Sequence, residues 1–497
     1  MRIISVFLCA FIAGIVNSAA QSLEAELETV FEEFELMGLS ILVSVEGVSE
    51  TFSYGLRDFD RSLPVNDDTH YRIASISKSV VALGMMKLYD EGLFELDDDI
   101  SSYLGYTVEN PNFPGEPITF RMLLSHQSSL QDGSGYTSFL NATYSQTPIP
   151  SISEVLLQSG SFYTSDMWRT ETPGSFFAYS NINFGLLGTL LEAISGERLD
   201  IYMKEEILEP LGIDGSFNIQ DINDINDVAV LYRNINGWQP QADNYQGTYP
   251  LPPDLSSYTP GTNGAYFAPQ GGLRCTAADL GKFLNFLQTN GASASLEIST
   301  AAIEEMKTMQ WNYNDSNGDN YFGLFNRWGL GLHQSNTDTG DTICLDGPTG
   351  VFIGHPGEAY GLISDAYFSE SDPISFVVMT NGSWNGYQFG NYSSYYTLEE
   401  SIFTILCDYF TEMLSTVSLE DTDMAIFPNP TSEELHIQTK EKRNYELYSS
   451  SGRLVDKGMI DQAKSTIQLP NLEDGIYFLK LKGKDTFTSH SIAIRNE

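Results

Sequence analysis

Three stretches of the chain carry side chains suited to acyl transfer. The first, Tyr71-Arg72-Ile73-Ala74-Ser75-Ile76-Ser77-Lys78, holds the one Ser-x-x-Lys of the sequence. Residues i and i+3 share a helix face, so the Lys78 amine can reach the Ser75 hydroxyl. The positive end of a helix and partial burial both disfavour an ammonium, pushing Lys78 toward the neutral amine that a base requires. The second stretch is Pro173-Gly174-Ser175-Phe176-Phe177-Ala178-Tyr179-Ser180-Asn181. A phenol near a cationic amine has its pKa lowered and can pass protons. Asn181 can orient the lysine or hold a substrate amide. The third is Gly354-His355-Pro356-Gly357-Glu358. Its glycines let backbone approach a ligand closely, and the amides of Glu358 and Ser75 together would form an oxyanion hole.

Each stretch also has a purely structural alternative. Ser75 could cap a helix and Lys78 be solvated; Tyr179 could be packed, with Asn181 as a helix cap; His355 could sit on an ordinary turn. A second Tyr-x-Asn, Tyr232-Arg233-Asn234, competes with the first. Context decides between the copies. The apolar run Val80 to Tyr89 predicts a buried helix with Ser75 in its first turn. A Pro-Gly turn before Tyr179 and a helix opening at Phe184 leave the phenol on an exposed interhelical loop. Strands are predicted at Ser40 to Val45, Thr51 to Leu56, Leu362 to Tyr367 and Ile374 to Met379, the first two joined through Glu46-Gly47. A helix from Leu398 to Leu414, apolar on one face, would pack on that sheet. Strands at both ends and helices between suit an α+β fold: an antiparallel sheet flanked by helices, plus a mostly helical lobe.

As an ordered set, SxxK, YxN and HxG resemble the serine β-lactamase and penicillin-binding-protein (DD-peptidase) superfamily, in its class C-like and esterase branch. Phe120 to Leu130 resembles that family's LLSHtSGL helix end, Gly271 to Leu280 its GGL-x-ST-x-x-DL segment, and Trp328-Gly329-Leu330-Gly331 its aromatic-Gly-Leu-Gly strand. The resemblance spans residues 25 to 415. It implies that Ser75 is the acylated nucleophile, with Lys78 and Tyr179 sharing general-base and general-acid work. Asn181 positions, and His355 takes the place of the basic residue in a Lys-Thr-Gly triad. Water then releases the acyl group.

No Lys-Thr-Gly occurs in the chain. His355 is mostly neutral at pH 7, Pro356 offers no hydroxyl, and Glu358 adds negative charge. Carboxylate anchoring is thereby weakened. This favours a small acyl substrate of the ester or D-amino-acid peptide kind over efficient β-lactam hydrolysis. The alternative from another class is a surface binding protein that keeps the fold without turnover.

Residues 1–20 read as a signal peptide: Arg2, an apolar core from Ile3 to Val16, then Ser18-Ala19-Ala20. Cys9 lies inside that core behind bulky Leu8, which argues against a lipid anchor. No other apolar stretch is long enough to predict a membrane span. The net charge of −41 argues against a nucleic-acid partner. Residues 424–497 hold ten basic and ten acidic residues, so all the excess acid lies upstream. This divides the chain into a hydrolase domain over 21–416, a linker over 417–423 and a small all-β sandwich over 424–497. Ile426-Phe427-Pro428-Asn429-Pro430-Thr431, Ser451 to Val455 and Leu472 to Leu479 resemble the C-terminal sorting domain of type IX secretion cargo. That resemblance implies the type IX secretion machinery as partner and a secreted or outer-surface location; a carbohydrate-binding or spacer domain is the alternative. Three cysteines remain after cleavage, allowing one disulfide at most, and Cys407 reads as plain core on a helix face. The scattered histidines predict no metal, and no cofactor is expected. Asp315 to Asp319 resembles a calcium loop only faintly, with Asn326 at its twelfth position, and is read as a loop.

Overall fold

The computed structural model describes residues 22–417, apart from 336–339, 346 and 349, and the strands and short connections of 425–495. The expected signal peptide with Cys9, nearly all of the expected linker, and the turns at Pro428-Asn429-Pro430 and Ser451-Gly452 lie outside the described residues. Two compact units are formed, dividing between Phe410 and Thr411.

The larger unit opens with helix α1 over residues 22–33. The hairpin follows: β1 (Gly38–Val45) and β2 (Val48–Asp58) pair in antiparallel register through Val45↔Val48. Its two turn residues, Glu46 (φ 54) and Gly47 (φ 75), both adopt positive φ, the backbone hand that matches strand twist. β3 (Leu63–Pro64) edges the sheet, and β4 (Tyr71–Arg72) leads to the Ser-x-x-Lys segment. The helical lobe then holds α2 (Ser77–Asp90), α3 (Ser101–Leu104), α4 (Phe120–Leu124), α5 (Ser134–Ser145), α6 (Ser153–Leu156), α7 (Asn181–Ser195) and α8 (Leu199–Tyr202), with the two-residue strand β5 (Phe177–Ala178) before α7. A hairpin of β6 (Leu231–Asn234) and β7 (Trp238–Ala242) precedes β8 (Arg274–Cys275), α9 (Ala277–Gln288) and α10 (Thr300–Lys307).

The chain then returns to the sheet. β9 (Trp311–Asn312), β10 (Gly318–Asp319), β11 (Arg327–Trp328) and β12 (His333–Ser335) are short; β13 (Phe352–Ala359), β14 (Leu362–Ser369) and β15 (Ile374–Thr380) are long, and α11 (Thr397–Val417) follows. Among the described residues the main sheet runs β3-β2-β1-β15-β14-β13-β12-β11-β9. The last long strand therefore lies beside the first, and the sheet is completed by the far end of the unit, as expected for this α+β fold. Every residue of β1, β14 and β15 is buried, so both faces are covered. α9 packs on β1, β14 and β15 from one side. Phe403 and Phe410 of α11 meet Phe376 of β15 on the other, ring centroids 5.4 and 6.4 Å apart. Alternate strand residues feed the two layers, as pleating requires.

Cys407 is not plain core: it is bonded to Cys344, 63 residues earlier, while Cys275 is the buried free thiol. The Asp315 to Asp319 segment is a loop whose end, β10, pairs in parallel with β5. Beyond the end of α11, the described elements of the smaller unit are all β-strands. β16 (Ala425–Phe427), β17 (Glu434–Gln438) and β20 (Ser465–Gln468) form one sheet; β18 (Arg443–Ser449), β19 (Leu454–Ile460), β21 (Gly475–Lys482) and β22 (Phe487–Ile494) form another. Leu435, Ile467, Leu447, Leu479 and Ile492 make its apolar core. Among the described residues no helix is long and apolar enough to cross a membrane.

Candidate active site

β4 pairs with β8, and the Ile73 amide continues the pairing to the Leu273 carbonyl at 3.0 Å. At Ala74 the backbone swings to φ 47, a conformation costly for a residue with a Cβ and one that persists where its surroundings enforce it. Ser75 follows in a separate 3-10 turn, Ala74–Ile76, one turn ahead of α2 and not in that helix's first turn. The Ser77 hydroxyl accepts from the Leu273 amide at 3.1 Å, and Ser79 donates to the Gly331 carbonyl at 2.7 Å. These bonds hold the head of α2 between two distant loops.

Lys78 is fully buried. Its Nζ donates to Ser75 Oγ at 2.9 Å and to the Gln270 carbonyl at 2.8 Å. Burial drives the amine down to about 7, against a weaker opposing pull from the Asp132 carboxylate. The amine also lies 4.9 Å from the ring centre of Tyr179.

Tyr179 is half-buried, contrary to the exposed loop expected for it. It leaves β5 fixed by the Ala178 amide, which donates to the His126 carbonyl at 2.8 Å. Its ring packs between His126, Phe325, Trp328 and His355, with centroids 4.5, 4.9, 5.7 and 5.9 Å away. Burial pushes the phenol well above the usual tyrosine range, and a hydrogen bond with Ser75 works in the opposite direction. Hydroxyl, amine and phenol therefore converge. Tyr232 of the competing triplet is elsewhere, its hydroxyl accepting from the Phe59 amide at 3.0 Å.

Asn181 heads α7, but its side chain turns to Asp132, Nδ2 donating to Oδ2 at 2.8 Å. The same carboxylate accepts from the amides of Asn181 and Ile182 and from the Ser180 hydroxyl, at 2.9 to 3.0 Å. Asp132 thus caps a fifteen-residue helix beside the site. The sequence alone gave no signal for it. His126 was visible only as the polar member of an apolar helix end. Its Nδ1 accepts from the Ser180 amide at 3.2 Å, so a neutral ring carries its proton on Nε2. Burial and the Lys78 charge hold its pKa well below the usual value.

His355 lies inside β13, fully buried, with Nδ1 2.5 Å from the Pro356 carbonyl. That carbonyl can only accept, so Nδ1 carries the proton and Nε2 presents a lone pair. Burial and Lys78 keep this ring neutral as well. Gly357 permits close packing on the nucleophile turn: a Cβ there would stand 2.7 Å from the Ile73 carbonyl. Glu358 pairs with Ile363 across β13 and β14. Both backbone groups of Ile363 engage Thr380 Oγ1 of β15, at 3.1 and 3.3 Å. Antiparallel partners turn the same way, so the Glu358 amide also points away from β14. β12 pairs with β13 only as far as Gly354, so among the described residues no strand partners the amide of Glu358 on that side. Its carboxylate is exposed and accepts from the Tyr396 hydroxyl at 2.8 Å.

A beta-lactamase family model matches residues 25–390. The chain belongs to the beta-lactamase family. A second model, for the secretion system C-terminal sorting domain, matches residues 425–495. The sorting domain marks the chain for type IX secretion, to the cell surface or beyond it. Protein flp of Staphylococcus aureus (strain MRSA252) is 28% identical over 196 residues, which are 39% of this chain and 37% of that protein. The match thus spans little more than a third of that relative. An octameric penicillin-binding protein homologue from Pyrococcus abyssi superposes with a TM-score of 0.57 at 20% identity, covering 96% of both chains. The D-amino acid amidase of Ochrobactrum anthropi SV3, complexed with L-phenylalanine, gives 0.58 at 19%, covering 80% of this chain and 99% of its own. These likenesses establish the beta-lactamase fold.

Proposed function

We propose that the chain is an exported serine hydrolase that forms an acyl-enzyme on Ser75 and hydrolyses an ester or a D-amino-acid amide. The convergence of the Ser75 hydroxyl, a buried Lys78 amine lowered to about 7, and the Tyr179 phenol carries this reading. Neutral Lys78 accepts the Ser75 proton as Oγ bonds to the acyl carbon. The Ser75 and Glu358 amides receive the developing oxyanion. Tyr179, kept protonated by burial, gives its proton to the departing oxygen or nitrogen and recovers one from Lys78. Water then attacks the acyl carbon, the same groups act in reverse, and Ser75 is restored.

His355 supports an ester or D-amino-acid amide over a β-lactam as substrate. The family's Lys-Thr-Gly places a cation there, whereas this neutral ring offers a lone pair, a poor anchor for a β-lactam or D-alanyl carboxylate. The name of the amidase neighbour agrees with a D-amino-acid amide as the second substrate class. Incubation with p-nitrophenyl acetate and with a fluorescent penicillin, followed by intact mass measurement, tests the reading. The expected result is turnover of the ester and a covalent adduct that Ser75→Ala abolishes. Absence of both adduct and turnover with either acyl donor would leave a binding protein on a hydrolase fold.

The boundary near residue 424 belongs to the same reading. Deletion of Met424 to Glu497 should leave esterase kcat/KM within about twofold, since the larger unit has its own core, while the chain stays inside the cell envelope. Export of the truncated chain at the normal rate would assign the smaller unit another task.

A further inference from the structure

A cavity of about 440 Å³ lies beside the nucleophile turn, and neither Tyr179 nor any of His126, Phe325, Trp328 and His355 packed on it lines that cavity. Three of its walls come from residues next to the catalytic groups: Arg72, three before Ser75; Gly272, two after Gln270; and Tyr360, two after Glu358. Gln270 joins the two spaces: its carbonyl accepts from Lys78, and Ala268 and Gly272, two residues to either side of it, line the cavity. Phe217 and Phe267 make much of the remaining wall apolar.

The cavity is cationic. Arg72 and Arg274 are direct cross-strand neighbours on β4 and β8, and both line it. Arg274 commits its guanidinium to Asp243, at 2.7 and 2.8 Å. Arg72 gives Nε to the Gly271 carbonyl at 3.1 Å and lies over the Tyr360 ring, 5.2 Å from its centre. Among the described residues no carboxylate ion-pairs with it, and none lines the cavity, in a chain of net charge −41. A flat guanidinium held against an aromatic ring is arranged to receive a planar carboxylate through paired N–H donors.

Which part of the substrate reaches this cavity follows from proton delivery. The leaving atom must lie toward the phenol that protonates it, so the acyl portion extends the other way, toward Arg72 and Tyr360. We infer that the cavity is the acyl-group pocket and that it selects acyl chains with an apolar body ending in a carboxylate, bound by Arg72. This rests on the hydrolase reading above and adds its substrate class. The cation is on the acyl side, so it does not replace the missing anchor beside His355.

Matched p-nitrophenyl esters test the assignment: the monoester of glutaric acid against the uncharged valerate, read as the ratio of their kcat/KM values. The full-length protein should prefer the anionic ester by about tenfold to hundredfold. Arg72→Gln should remove the preference while retaining valerate hydrolysis, which also reports that the variant is folded, and Arg72→Lys should restore part of it. Added salt should erode the ratio in the unaltered protein, giving a readout independent of any variant. Valerate hydrolysis without an anionic preference, or a preference unchanged in Arg72→Gln, overturns the acyl-pocket assignment alone. If neither ester is hydrolysed nor acylates Ser75, the hydrolase reading falls and this assignment with it.

Discussion

Two of the buried polar clusters among the described residues of the larger unit have been shifted by burial in opposite senses. Around Ser75, an amine has lost much of its hold on a proton, to about 7. Behind β13, Asp365 of β14 and Glu399 of α11 are hydrogen-bonded carboxyl groups, both raised well above the usual range because desolvation penalises their charge. By the presence of shifted groups alone, the second cluster has as good a claim to be a site as the first. It has no nucleophile. Glu399 accepts from the Tyr396 amide at 2.6 Å, and its charged neighbours are Glu358, Glu400 and Asp365. A shifted pKa therefore marks burial, and only the geometry around it separates a catalytic amine from a structural proton store.

The sharpest way to break this comparison is to remove Lys78. Lys78→Met keeps length and apolar bulk but no base, and should lower kcat/KM by about 10²- to 10⁴-fold. In the unaltered protein, kcat/KM should fall tenfold per pH unit below about 7 and level off above it, as Lys78 becomes protonated. Stability gives a second readout. An unfolded lysine holds its proton up to 10.5 and the folded one only to about 7, so the unfolded state binds more protons across that window. The contribution of Lys78 is fully present above 10.5 and is lost as pH falls through 7. Denaturant titrations should show this slope in the unaltered protein and not in Lys78→Met. A variant with unimpaired activity would remove the amine from the mechanism.

How far these clusters were legible in sequence follows from how local each contact is. The Ser75 to Lys78 spacing and the Glu46-Gly47 turn are fixed by three or fewer residues of backbone, and both the reach and the hairpin follow from helix and strand geometry. Hydrophobic patterning located β1, β2, β14, β15 and α11 for the same reason, but not β13, whose Gly354, Pro356 and Gly357 read as a turn. Tyr179 was found through its family motif, but its burial was not, because Phe325, Trp328 and His355 arrive from remote chain. Asp132 and the Gln270 carbonyl left no trace, since a backbone oxygen or a helix-capping acid belongs to no motif. Cys407 was misread because its partner, Cys344, is brought close only by tertiary folding. The Asp365–Glu399 pair is equally non-local, joining a strand to the helix that follows the sheet.

That pair also gives the smallest expected effect on catalysis. The sheet separates it from the acyl carbon, and neither carboxyl group bonds to Ser75, Lys78 or Tyr179. Glu399→Gln, which keeps a hydrogen-bonding partner for Asp365, should leave kcat/KM within about twofold. Its effect should lie in stability. An unfolded glutamate releases its proton near 4.5, whereas the folded group retains it to higher pH, so the folded state binds more protons above 4.5. The contribution of Glu399 is fully present below 4.5 and is lost as pH rises through the folded value. The unaltered protein should therefore lose stability over this range relative to Glu399→Gln, with a slope opposite in sign to that from Lys78. Thermal melts of the two variants at pH 4, 7 and 9 separate the contributions. If Glu399→Gln instead lowered kcat/KM tenfold with its melting temperature unchanged, the rear cluster would be coupled to the Glu358 end of β13, and the division between working and structural carboxyl groups would fail.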